Sequence, residues 1–424
     1  MIVVQQREEV TMYNELGFSR QIQKKINWFA FFLAFPFLSL LGNSITFYIF
    51  IAIIASTGAF WNKYFQGKYL FFGFLFIGAL STVLSPVNGE HKDLGFILIL
   101  VQYTYWIVMA AFFIIYRRRI DFLQLSKWLF YGTIISIFAY FILGFKFDNP
   151  ILSLQFKPGR NSFVFNLICC IPLTFIYINH RWKGWRVYLF ILFYIGIMLM
   201  TNGRSGAVII LIQSMLILSI IQPNFRKVGK VFVFLFFILF GLLQNSNSQI
   251  YMEAIATRVE SINPRFAALL RSDGDGDLDQ DKSWLIRKLM IDKGMEIIKK
   301  YPFIGIGPNN FTNYQAELSS YSSYSRLQGT SFQKMSTTTS AHNSYLQVAA
   351  EFGIIGFIVF VCLYLPPILL FIKLFIKGQL TFNHLGLVSL IGMSIHFYAI
   401  AAFLGALPWF VLGLCWSYLQ KSKR

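Results

Sequence analysis

The amino-acid sequence predicts an all-α polytopic membrane protein with about 12 transmembrane helices and one large helical loop on the outer side. The 424 residues are 56% hydrophobic and only 13% charged, whereas soluble domains average about 25% charged residues. Apolar runs long enough to cross about 30 Å of hydrocarbon recur along the chain. Lys and Arg concentrate in alternate connections between these runs, which is the pattern of cytoplasmic loops.

The predicted spans follow one another with short connections. The last two come from a single apolar run that is too long for one helix, so a break is predicted at residues 405–408, where glycine and proline interrupt it. The spans lie near 27–42, 44–60, 69–86, 94–116, 128–146, 162–179, 186–200, 205–222, 230–245, 350–376, 384–403 and 405–420.

The distribution of basic residues predicts which side each connection faces. Basic clusters occur at 117–119, 181–186, 226–230 and 373–377, and both termini are basic. Both termini are therefore expected in the cytoplasm. The first span is interpreted as an uncleaved anchor, because no cleavage site follows a short apolar stretch. These loops explain the net charge of +19 better than nucleic-acid binding does, so no nucleic-acid partner is predicted.

One connection is exceptionally long and polar. The chain is divided into an N-terminal bundle of about nine spans at 1–245, an outer loop at 246–343 and a C-terminal bundle of about three spans at 344–424. Within the loop, apolar residues recur at helical spacing over 284–301 and predict a helix. A loop of this length usually carries function.

Metal and cofactor motifs are not predicted. The acidic run 272–281 alternates like a calcium loop, but Leu278 and Trp284 occupy the positions that need glycine and glutamate, so it is interpreted as a flexible acidic segment. Every cysteine lies in an apolar run, which argues against a disulfide framework and a metal site. The four cysteines are Cys169, Cys170, Cys362 and Cys415.

Three arginines lie where outer connections should be poor in positive charge. Arg160 precedes one span, Arg204 lies in a short turn between two spans, and Arg287 lies on the predicted loop helix. Arginine presents a planar fork of donors that suits phosphate. The alternative is that Arg160 and Arg204 extend to lipid headgroups and that Arg287 is an ordinary surface charge.

His342 stands where the polar loop ends and an apolar segment begins. An imidazole there could take a proton from a sugar hydroxyl near neutral pH, although a lone histidine is more often structural. Ser340 or a neighbour is expected to cap the following helix, and Asn343 comes directly after the histidine. Glu351 falls on nearly the opposite helical face, so it is not expected to pair with His342; buried pairing and a polar lining both remain open for it.

Four segments resemble motifs of the O-antigen ligase and polymerase superfamily. They are GRNSFVFNL at 159–167, TNGRSGA at 201–207, YPFIGIGPNNF at 301–311 and HNSYLQVAAEFGIIG at 342–356. Each is short, but they occur in the family's order and on the same predicted face. The resemblance also fits the layout of about twelve spans with one large periplasmic loop late in the chain.

The resemblance implies a GT-C-like, metal-independent glycosyltransferase of the bacterial inner membrane, with a periplasmic active site and no cofactor. Its donor would be a glycan on undecaprenyl diphosphate, and its acceptor either lipid A-core or another glycan. Arg160, Arg204 and Arg287 would neutralise the diphosphate and His342 would activate the acceptor, with Asn343, Glu351 and Asn202 in support. A chain-length regulator protein and membrane lipids are the other partners considered.

The composition of the Ser/Tyr-rich stretch 318–340 favours a polymerase over a ligase. A transporter or flippase of lipid-linked glycans is the alternative from another functional class.

Overall fold

The computed structural model describes residues 20–35, 67–86, 92–146, 160–182, 184–201, 204–222, 282–316, 341–398 and 405–421. Within these ranges the chain is all-helical, with no strand. Short 3₁₀ turns occur at Arg117–Arg119 and Phe382–His384. The helices are α1 (Arg20–Ala34), α2 (Lys68–Val83), α3 (Lys92–Tyr116), α4 (Phe122–Lys146), α5 (Arg160–Arg181), α6 (Trp185–Met200), α7 (Arg204–Ile221), α8 (Lys282–Lys300), α9 (Ser344–Ile376), α10 (Leu385–His396) and α11 (Ala406–Lys421).

Three of these helices are long and apolar enough to cross a membrane. They cover Phe122–Phe141, Asn161–Arg181 and Ser344–Ile376. Five shorter apolar segments accompany them, at Lys68–Val83, Val101–Tyr116, Trp185–Met200, Val208–Ile221 and Ala406–Leu419. The described part of the chain is therefore helical with several membrane-spanning candidates, and the full count of about twelve stays a prediction.

Most predicted spans coincide with a helix, in full or in part. Several predictions lie outside the described residues: the spans at 44–60 and 230–245, residues 36–42 of the first span, most of the loop 246–343 and the acidic run 272–281. Within the predicted span 384–403, α10 ends at His396 and a turn follows at Phe397 and Tyr398; residues 399–403 lie outside the described part. A 12-residue helix is about 18 Å long, too short to cross the hydrocarbon by itself. The loop helix predicted at 284–301 is α8, and its residues Leu289, Met290 and Ile297 are fully buried.

Helix α5 lies at the centre of the bundle, where it packs against α1, α4, α7 and α10. Of its most apolar stretch, 78% is buried, against 33% for α9. Pro172 interrupts α5, and a proline removes the N–H that would bond to the carbonyl four residues earlier. The side chain of Gln213 on α7 replaces it, donating from Nε2 to the Ile168 carbonyl at 2.9 Å. A neighbouring helix thus satisfies the carbonyl that the proline leaves unbonded.

The same arrangement recurs in α9. Pro367 lies inside this helix and leaves the carbonyl of Leu363 without its usual N–H partner. The indole Nε1 of Trp416, on α11, donates to that carbonyl at 2.8 Å. Because an unsatisfied backbone group is costly in an apolar interior, these two side chains fix the positions of α7 against α5 and of α11 against α9.

Aromatic rings fill the core between α2, α3, α9 and α11. Phe74 stacks on Phe352 at a centroid distance of 4.8 Å and packs against Trp409 at 5.7 Å. Trp409 in turn lies parallel to Trp106 of α3. Large rings bury much area while adding specific geometry. This aromatic core packs against α9. It lies next to the contact between the first turns of α9 and the loop that follows α8. The four cysteines are free, as expected from their positions in apolar runs.

Candidate functional site

His342 occupies a strained turn immediately before α9. Its φ angle is +51°, a left-handed conformation that non-glycine residues adopt infrequently. The next residue, Asn343, is the N-cap: its Oδ1 accepts from the backbone N–H groups of Tyr345 at 2.9 Å and Leu346 at 3.1 Å. Asparagine is among the preferred N-cap residues. The cap expected from Ser340 or a neighbour is therefore supplied by Asn343.

The end of α10 holds this turn in place. The backbone N–H of Ser344 donates to the Phe397 carbonyl at 2.8 Å. The hydroxyl of Tyr345 donates to the Ser394 carbonyl at 2.7 Å. The start of α9 and the end of α10 thus meet at one end of the bundle, and the half-buried imidazole of His342 lies at this meeting point.

Arg287 is the arginine whose charge acts on His342. It is exposed on α8, which packs against α9. Burial lowers the pKa of His342 below its ordinary value of 6.5, and the positive charge of Arg287 lowers it further. Both causes act in the same direction, since each disfavours the imidazolium. The ring is therefore kept neutral around pH 7, the form that can accept a proton.

The other two predicted arginines begin helices at the same end of the bundle. Arg160 is the first residue of α5 and Arg204 the first of α7. The two helix starts approach so closely that a Cβ on Gly206 would lie 2.3 Å from a methyl group of Val164. Phe165 on α5 stacks on Phe397, at a centroid distance of 5.9 Å. Since Phe397 also bonds to Ser344, both helix starts lie near the His342 turn. The side chains of Arg160 and Arg204, and all of Asn202, lie outside the described part.

The segment 301–311 packs against a break in α9. Gly353 has φ +67° and ψ −174°, so the helix is interrupted there. The backbone N–H groups of Ile306 and Gly307 donate to the Ala350 and Glu351 carbonyls at 3.1 and 2.9 Å, and that of Ile354 donates to the Pro302 carbonyl at 2.8 Å. A Cβ on Gly353 would lie 2.3 Å from the Phe303 carbonyl. Glycine is therefore required at this contact.

Two side chains reinforce the junction between this segment and α9. Glu351 is fully buried, and its Oε1 accepts from the Phe311 N–H at 3.2 Å and from Gln347 Nε2 at 2.9 Å. Ser81 of α2 lies within hydrogen-bonding distance of the Ile304 and Glu351 carbonyls, at 2.6 and 2.7 Å. Glu351 is thus buried, and its Oε1 is paired with the 301–311 segment and Gln347.

Sequence reasoning missed two residues at this end of the bundle. Ser81 lies in an apolar helix where a serine has no distinguishing pattern. His396 lies at the end of α10, and its ring is parallel to Phe165 at 5.9 Å. Neither residue belongs to a segment that resembles a known motif. Only the packing of α2 and α10 against distant parts of the chain reveals their positions.

A family model described as O-antigen ligase matches residues 188–361, about two fifths of the chain. The match spans Arg204, Arg287, the 301–311 segment, His342 and the break in α9. It ends before α10 and begins after Arg160. The resemblance inferred from the motifs is thereby confirmed. No curated protein matches the chain.

Proposed function

We propose that this protein transfers a glycan from undecaprenyl diphosphate to a sugar hydroxyl during surface polysaccharide assembly, because residues 188–361 match a family model described as O-antigen ligase. The observation that carries the proposal is the meeting of His342, Arg287 and the first residues of α5 and α7 at one end of the bundle. A neutral imidazole next to fixed positive charge suits a reaction in which a hydroxyl attacks and a diphosphate leaves.

In the proposed reaction, His342 accepts the proton of the acceptor hydroxyl as its oxygen bonds to the anomeric carbon of the donor. The bond from that carbon to the diphosphate oxygen breaks, and the electron pair leaves with undecaprenyl diphosphate. Arg287, with Arg160 and Arg204, holds the charge of the departing diphosphate. Positioned positive groups stabilise developing negative charge most effectively when they are already fixed before the reaction. The N–H groups at the starts of α5 and α7 can add to this effect.

The broken helix α9 also bears on the transporter alternative. Discontinuous helices in transporters expose backbone groups to a substrate or ion near the middle of the membrane. In this protein the backbone groups at the Gly353 break bond to residues 302–307. Protein backbone thus occupies the position that a transported ligand would need, which favours the transferase.

The acceptor distinguishes a polymerase from a ligase, and we favour the polymerase. The Ser/Tyr-rich stretch 318–340 has the composition of a groove for a polar glycan, and it leads directly into the His342 turn. A polymerase would extend a lipid-linked glycan at the periplasmic face, with a chain-length regulator protein as a candidate partner. A ligase would instead join the glycan to lipid A-core.

Reconstituted transfer tests the proposal directly. Purified protein in vesicles is given undecaprenyl diphosphate-linked repeat alone, and then with lipid A-core. A ladder from the repeat alone supports the polymerase, whereas product only with lipid A-core identifies a ligase. No product under either condition would contradict the proposed function.

Two pairs of variants assign the roles. His342→Ala is expected to lower the transfer rate about 100-fold or more, the usual contribution of a general base. The control His180→Ala, on an exposed residue at the other end of α5, leaves the rate unchanged. Full activity of a folded His342→Ala protein would remove the histidine from the mechanism.

Arg287→Ala is expected to weaken transfer strongly, while Lys299→Ala on the same helix does not.

A further inference from the structure

His396 is a deeply buried histidine at the end of α10. Its side chain is 2% exposed. Neither Nδ1 nor Nε2 has a hydrogen-bond partner among the described residues; the backbone of Asn161 interacts with the ring without making a bond of ordinary geometry. Buried polar groups nearly always have partners, and leaving one without a partner costs about 1–3 kcal/mol.

The position of this ring links three parts of the candidate site. It stacks against Phe165, in the second turn of α5 after Arg160. The next residue, Phe397, bonds to Ser344 through its carbonyl, two residues after His342. The charge of Arg287 acts on His396 as it does on His342. His342 is half-buried and His396 fully buried, so His396 lies deeper in the protein than His342.

The chemistry of the ring indicates what it can bind. Burial favours the neutral form of an imidazole, which has one donor nitrogen and one acceptor nitrogen. A phosphate only accepts hydrogen bonds and is better matched by arginine. A sugar hydroxyl both donates and accepts. The neutral imidazole therefore complements a hydroxyl group.

We propose that His396 is a second substrate-contacting histidine, which binds a sugar hydroxyl through a ring nitrogen while His342 acts as the base. This inference rests on the proposed function. The hydroxyl belongs either to the donor sugar next to the diphosphate or to the acceptor glycan. Substrate binding supplies the hydrogen bond that the ring lacks among the described residues, so part of the cost of burying it is recovered only with substrate present.

Binding measurements test the proposal independently of turnover. Isothermal titration measures the affinity of the protein for three ligands in turn. They are undecaprenyl diphosphate carrying its sugar repeat, undecaprenyl diphosphate without sugar, and a soluble acceptor glycan. His396→Phe keeps a planar ring without hydrogen-bonding groups. If the donor supplies the hydroxyl, this variant should bind the sugar-bearing carrier about tenfold more weakly. If the acceptor supplies it, the variant should instead bind the acceptor glycan about tenfold more weakly. Binding of the sugar-free carrier should not change.

Stability and conservative variants separate a contact with substrate from a structural role. His396→Phe should unfold at the same temperature or higher, since it removes an unsatisfied polar group. His396→Asn and His396→Gln place an amide near Nδ1 and Nε2 respectively, and one of them should restore much of the binding. Ser389→Ala is the matched control, because Ser389 is buried on the same helix and its hydroxyl also has no partner among the described residues; it should leave binding unchanged.

The outcomes distinguish this inference from the proposed function. If His396→Phe binds both sugar-bearing ligands like the wild type, the inference is overturned, while loss of transfer in His342→Ala would still support the proposed function. If the wild type binds neither sugar-bearing ligand, both are overturned.

Discussion

His342 and Asn309 are the two non-glycine residues with positive φ in the described part of the chain, at +51° and +61°. Both lie in segments that resemble family motifs. A left-handed conformation costs about 1–2 kcal/mol for an L-residue, and such costs tend to persist where neighbours hold the residue for a functional purpose. At His342 the holding contacts are the Asn343 cap and the bond from Ser344 to Phe397. These contacts hold His342 in its left-handed conformation at the end of the bundle.

The electrostatic effect of Arg287 on His342 predicts a shift in the pH profile. In the proposed mechanism the neutral imidazole is the base, so kcat/KM should fall as the pH drops through the lowered pKa of His342. Arg287→Gln removes a positive charge that lowers this pKa, so the pKa rises towards 6.5 and the acidic limb of kcat/KM moves to higher pH. The profile of kcat/KM reports groups of the free enzyme. Lys299→Gln is the control and should not move the limb. An unshifted limb in Arg287→Gln, with reduced activity, would assign Arg287 to substrate binding alone.

At the scale of elements, the apolar sequence of α9 predicts a continuous helix, whereas the structure interrupts it at Gly353. The residues after Gly353 continue as an apolar helix to Ile376, while the residues before it carry the cap, Gln347 and Glu351. The segment 301–311 bonds to the backbone at the break, and Ser81 joins α2 to the same place. The direction of the first two turns, and hence of His342, depends on this contact.

Replacing Gly353 by alanine tests that dependence. The new Cβ would meet the Phe303 carbonyl at 2.3 Å in a backbone conformation that alanine disfavours, so we expect destabilisation of about 2 kcal/mol or more, with loss of transfer. Gly196→Ala in α6 is the matched control, since nothing lies within 4 Å of its Cβ and alanine favours a helix. Thermal unfolding in detergent measures both. Equal midpoints for the two variants would show that the break is not required for stability.

At the scale of the molecule, the two ends of α9 should face opposite sides of the membrane. The His342 turn begins the helix, and the predicted cytoplasmic connection at 373–377 ends it. Tyr398 is exposed beside the first end and Lys377 is exposed at the second.

Labelling with a membrane-impermeant maleimide checks this orientation. In a Cys362→Ala background, where the other three thiols are buried, Tyr398→Cys should be labelled in sealed spheroplasts and Lys377→Cys only after permeabilisation. The reverse pattern would place the candidate site on the cytoplasmic side and contradict a periplasmic reaction.

Much of the helical layout follows from local sequence, because apolar runs such as 162–179 and 205–222 can be buried only as helices. The helix at 284–301 was likewise evident from its periodicity. The break at Gly353 could not be predicted, since apolar residues continue across it and its cause lies in segment 301–311. For the site, His342 and the arginines stood out by their unusual positions and by resemblance. His396 did not, because its significance depends on Phe165 and Ser344, which are distant in sequence.

The break in α9 also constrains the order in which the protein can be assembled. Ser81 and segment 301–311 are synthesised before α9, and their bonding partners at Ala350, Glu351 and Ile354 emerge later. Until α9 inserts, the Ile306 and Gly307 N–H groups lack the carbonyls to which they donate in the finished protein, and the Ser81 hydroxyl lacks one of its two, the Glu351 carbonyl. Completion of this junction is therefore a late event in biogenesis. It couples the insertion of α9 to the orientation of His342, so that the proposed base reaches its working position only when the earlier helices are already in place.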